Sequence, residues 1–111
     1  MPGYLVARII GAGTADEASR QFELIAEHCK RANKNKLLLD YREAHAKVSL
    51  AEKYFAVEKA RIFAQYRLKV AVIDIPERLD PKRFGEIVAQ NRGVDLRVFT
   101  NVEDAEEWFL K

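Results

Sequence analysis

Four strand-like apolar runs alternate with segments long enough to hold a helix, and this alternation constrains the chain more than any other feature. The runs are Tyr4 to Ile10, Leu37 to Tyr41, Lys69 to Ile75 and Val94 to Val98. Crossovers that contain a helix favour parallel pairing and right-handed connections, so the expected order is β-α-β-α-β-α-β-α over a mainly parallel four-stranded sheet. The chain has 111 residues, 49% of them apolar, which suits one α/β domain with a single core. If the strands lie in chain order, the shared handedness sends successive helices to one side. Part of the other sheet face would then be left as a natural contact surface.

Local signals mark each unit. Gly11-Ala12-Gly13 turns the chain after the first run, and Thr14 with Glu17 has the spacing of a capping box for a helix over 15–33. Ala18, Phe22, Ile25, Cys29 and Ala32 recur at helical spacing as its inward stripe. Acidic residues lie early on that helix, whereas Lys30, Arg31, Lys34 and Lys36 lie late, an order that complements the helix dipole.

Ser49 with Glu52 repeats the capping spacing and predicts a helix to about Tyr66. Leu50, Tyr54, Val57 and Ala64 form one apolar stripe on it, and Phe55, Ile62 and Tyr66 form a second. A second stripe suits a neighbouring helix or another copy of the chain, which makes Tyr54, Phe55 and Ile62 candidates for self-association into a homodimer.

Asp80-Pro81 is a helix start, with Phe84, Ile87 and Val88 as its inward face and Gly93 closing it after Asn91 or Arg92. Val94, Leu96 and Val98 alternate with Asp95 and Arg97, the pattern of an edge strand. Thr100 with Glu103 predicts a last helix facing inward through Val102, Ala105 and Phe109, with Trp108 as a lid on the core.

Chemistry-bearing motifs are sparse. The 19 basic and 17 acidic side chains leave a formal charge of +2, too little for a strong nucleic-acid field. The dinucleotide glycine pattern fails because Asp16 occupies its third position, and no Walker-type lysine motif follows any strand. His28 and Cys29 adjoin on one helix while His45 lies far away in a loop, which gives zinc little basis. The lone Cys29 fits an inert core thiol in a reducing cytoplasm, and no membrane-spanning run or leader pattern is read.

Open parallel sheets bind ligands beyond the carboxyl ends of their strands. Asp40, Arg42, Glu43, Asp74, Thr100 and Asn101 fall on that rim and are its candidate ligand or partner residues. Asp40, Arg42, Glu43 and His45 are the nearest approach to an acid-base constellation, without a second carboxylate or nucleophile at an informative spacing. The residues therefore favour a non-catalytic chain that requires no cofactor. The alternative is an anion-, nucleotide- or lipid-binding, or weakly catalytic, domain that uses the rim.

Phe84-Gly-Glu-Ile-Val-Ala-Gln-Asn-Arg-Gly-Val-Asp-Leu-Arg-Val-Phe-Thr100, followed by Glu103-Asp-Ala-Glu-Glu-Trp108, resembles the ending of bacterial STAS-like domains, in the branch of stage II sporulation protein AA. Lys36 to Asp40, Ala60 to Phe63 and Leu68 to Ile73 are similar to that family's middle. The resemblance implies consecutive βα turns and a cytoplasmic regulatory module that works through a protein partner. It also implies that a serine at the start of the second helix is a phosphoacceptor. Ser49 falls at that place, within Lys47-Val48-Ser49-Leu50, without the motif's acidic residue and glycine.

Overall fold

The computed structural model describes residues 3–9, 15–43, 60–78 and 84–111. The elements are β1 (Leu5–Arg8), α1 (Ala15–Arg31), β2 (Lys36–Asp40), α2 (Arg61–Gln65), β3 (Lys69–Ile73), a 3-10 turn (Pro76–Arg78), α3 (Phe84–Asn91), β4 (Asp95–Phe99) and α4 (Val102–Phe109). The strands form one sheet, all parallel as the alternation predicts, in the order β1-β2-β3-β4, which the alternation alone leaves open. The Thr14 and Ser49 caps and the stripe residues Tyr54 and Phe55 lie outside the described residues.

Strand residues alternate between two faces. Leu37, Leu39, Val70 and Leu96 meet Phe22, Ala26 and Cys29 of α1, Phe63 of α2 and Ala89 of α3 on one face. On the other, Leu38, Ala71 and Ile73 meet Ala105 and Phe109 of α4. The first three helices thus share a side, as expected, but α4 does not join them. No strand follows it in this sheet, so crossover handedness does not bind it, and it covers the second face. The uncovered corner of that face lies over β1, where Val6 is 52% exposed.

Two inward assignments and one cap need correction. Ala32 is exposed because it lies beyond the last turn of α1, and Ala26 joins Phe22 and Cys29 on the buried stripe. Ile87 points outward at 51% exposure, whereas Glu86, Val88 and Ala89 are buried. The α4 cap is Asn101 rather than Thr100: its Oδ1 accepts from the Asp104 main-chain N–H at 2.8 Å, and its Nδ2 donates to Asp104 Oδ2 at 3.1 Å. Ile62 is half-buried against the first-face core.

α1, α2 and α3 close by the same device. Lys34 N–H donates to the Cys29 carbonyl and Asn33 N–H to that of Lys30; Leu68 to Phe63 and Arg67 to Ala64 repeat the pair, as do Val94 to Ala89 and Gly93 to Gln90. These are Schellman motifs, which need a left-handed residue after the cap. Asn33 (φ 55), Arg67 (φ 55) and Gly93 (φ 81) supply it.

Arginine carries a Cβ penalty there that asparagine eases and glycine lacks. Arg67→Gly is therefore expected to raise unfolding free energy by about 0.5–1 kcal/mol. Gly93→Ala should lower it by about 1 kcal/mol. Urea denaturation of both variants checks the two signs.

Candidate functional site

The carboxyl end of β2 organises the predicted rim. Leu38 and Asp40 share the α4 face, which brings Asp40 beside its register partners Arg8 on β1 and Ile73 on β3. Asp40 is buried, and Arg42 folds back onto it. Arg42 main-chain N–H and Nε donate to Oδ1 at 3.0 and 2.9 Å, and Nη2 donates to Oδ2 at 2.8 Å. The result is a bidentate ion pair with the arginine side chain 45% exposed and the aspartate 7%.

Those hydrogen bonds from Arg42 outweigh burial and, with the charge of Arg8 nearby, hold the Asp40 carboxyl below the usual carboxylate range. Asp40 in turn pushes the Arg42 guanidinium pKa up, with smaller help from Glu43 and Glu103. A carboxyl whose folded pKa is depressed stabilises the fold above its unfolded value of about 3.9 and loses that contribution as pH falls through the folded value.

Asp40→Asn is thus expected to cost about 1–2 kcal/mol at pH 7, the lower range reflecting the exposed arginine. The gap to the wild type should close in acid below pH ~4. Denaturant titrations across that range measure it; a gap that stays constant in acid would rule out the ionised carboxylate as its source.

The remaining rim residues divide between the faces. Tyr41 and Asp74 belong to the opposite side from Asp40. Burial, followed by the nearby Asp74 charge, pushes the Tyr41 hydroxyl well above its ordinary pKa. Asp74 Oδ1 accepts from Ile75 N–H at 2.8 Å, which shapes the exit from β3 ahead of Pro76. Asn101 is occupied by its cap, while Glu43 and Thr100 are exposed.

The rim therefore brings Asp40 and Arg42 together, with Glu43 and Glu103 in electrostatic range of Arg42. Asp74, Thr100 and Asn101 are spread along it. Arg8, Tyr41 and Glu103 were missed as rim members. Arg8 had a readable signal: Val6 and Arg8 alternate with Leu5 and Ala7, placing it on the same face as the last residue of β2.

A second concavity lies at the opposite, amino-terminal ends of the strands. It is a cleft of about 450 Å³ between the ends of α1 and α2, lined by polar Lys30, Asn33, Lys34, Asn35 and Tyr66. Cys29 and Leu68 lie buried beneath its floor, and burial raises the Cys29 thiol pKa, which disfavours the reactive thiolate. On the α4 face of the same end, Lys69 Nζ donates to the Trp108 carbonyl at 3.1 Å and stands 4.5 Å from the centre of that indole. Lys69 thereby serves the carboxyl end of α4 from a neighbouring strand.

Among the described residues there is no cluster of three or more His, Cys, Asp or Glu side chains able to hold a metal ion, and no helix is long and apolar enough to cross a membrane. No family model, curated protein or solved structure matches the chain.

Proposed function

We propose that this domain is a non-catalytic, protein-binding module of bacterial regulation, as its STAS-like resemblance implies, and that it meets its partner through the strand carboxyl ends. One observation carries the reading: the Arg42 side chain is half-exposed, yet its guanidinium is fixed by two hydrogen bonds to a buried carboxylate that also accepts its main-chain N–H. A guanidinium oriented in advance loses little conformational freedom on binding, and arginines of this kind anchor protein interfaces. The same pairing argues against acid-base work by Asp40. A general acid or base needs a pKa near the working pH, whereas Arg42 and Arg8 hold this carboxyl ionised well below it.

Affinity capture from host lysate with wild type, Arg42→Ala and Arg42→Lys tests the reading. The partner bound by wild type is expected to be lost with alanine and weakened with lysine, which cannot present the planar fork. Thermal melting of each variant establishes that it is folded. A partner retained equally by folded Arg42→Ala would overturn the assignment of the rim.

A further inference from the structure

We propose that the cleft between the carboxyl ends of α1 and α2 is a binding site for a small phosphomonoester, with Lys30 and Lys34 as its charged contacts. Its volume of about 450 Å³ falls in the range of small-molecule sites and exceeds what a bare phosphate would fill. Among the described residues the polar lining consists of two ammonium groups, the amides of Asn33 and Asn35 and the Tyr66 phenol, with no carboxylate. Such a lining can donate to several oxygens at once, which suits the three terminal oxygens of a phosphate ester better than a carboxylate's two.

The positive charge exceeds what the helix end requires. Lysines after a helix are ordinarily explained by the half-charge of the dipole and by free carbonyls. Here Ala32, Asn33 and Lys34 N–H groups already donate to the carbonyls of His28, Lys30 and Cys29. Four cations, Lys30, Arg31, Lys34 and Lys36, nonetheless follow one another there, and Arg67 closes α2 alongside. Among the described residues, no carboxylate pairs with Lys30, Arg31, Lys34 or Arg67.

The cleft also has direction. Lys30 Nζ stands 5.9 Å from the centre of the Tyr66 ring, which restrains a side chain that would otherwise wander in solvent. The half-buried Tyr66 ring offers a face on which the organic part of an ester would rest, with its phosphate toward the lysines, while buried Leu68 and Cys29 close the floor behind it. This site is at the other end of the sheet from Arg42, so it stands or falls separately from the rim.

The test is two-dimensional amide NMR of the full chain titrated with inorganic phosphate, ribose 5-phosphate and AMP, with sodium chloride at matched ionic strength as control. Shifts centred on residues 29–35 and 66–68 are expected with the esters. Lys30→Ala combined with Lys34→Ala should weaken binding at least tenfold, and Arg42→Ala should leave it unchanged. Inorganic phosphate binding at the same residues would place the recognition in the phosphate group; esters binding alone would add the Tyr66 ring to it. The proposal is overturned by an absence of shifts at millimolar ligand, by shifts that chloride reproduces, by shifts centred elsewhere, or by a double variant that binds like the wild type.

Discussion

Phe63→Ala is expected to lower the unfolding free energy by about 3–5 kcal/mol, as emptying a fully buried aromatic site does. Phe63 is 0% exposed and its ring centre lies 5.1 Å from that of Phe22, so it joins α2 to α1 over the sheet. α2 spans only Arg61–Gln65, far too short to hold its shape without tertiary contacts. The Phe63 carbonyl also accepts from Leu68 N–H at 3.0 Å, and Leu68 is buried beside it, the apolar contact that accompanies a Schellman end. One side chain therefore anchors a helix, its termination and the entry to β3. Chemical denaturation measures the effect, with Phe63→Leu expected to lose under ~1.5 kcal/mol. An alanine variant as stable as the leucine one would show that the ring is not the anchor.

Glu86→Ala should be the next most damaging change, at about 2 kcal/mol, and should make the protein self-associate as concentration rises. β4 is an edge strand whose Phe99 carbonyl accepts from Asp74 N–H, so the amide of the alternating residue Val98 faces the outer side. Glu86 reaches across from α3 and accepts from that N–H at 2.6 Å. Alanine takes away both this acceptor and the side chain that blocks a foreign strand from docking. Glu86→Gln keeps an acceptor oxygen and is expected to stay close to wild type. Denaturation and sedimentation velocity of the two variants distinguish these effects; an alanine variant that stays monomeric at high concentration would remove the blocking role.

Glu86 also shows where reading by residue type fails. The four strands, their parallel direction and the closure of α3 at Gly93 were legible because each rests on local chemistry: apolar runs, crossover length and a residue free to take positive φ; the side-by-side chain order was not legible from periodicity. Ile87 was expected inward because it is apolar, yet the turn of α3 is set by an edge amide that only a neighbouring strand reveals. Asn101 displaced Thr100 as a cap because both have the right oxygen, and a shift of one residue decides between them.

The rim was partly visible, since strand ends are where ligands gather, but the pairing of Asp40 with Arg42 depends on a backbone turn that spacing alone leaves open. The basic cleft was hidden for another reason. Lysines in the positions of Lys30 and Lys34 are what the dipole at the end of α1 favours, the satisfied carbonyls that leave their charge in excess are not readable from the residues, and Tyr66 belongs to a separate segment. Only the parallel sheet sets the two helix ends side by side.

Because α4 packs on the face opposite the other helices, its docking is a separate step of folding. Until it docks, Leu38, Ala71 and Ile73 stand bare on one side of the sheet. A transient apolar surface of this kind is where partly folded polypeptides stick to one another, so refolding yield should fall as protein concentration rises.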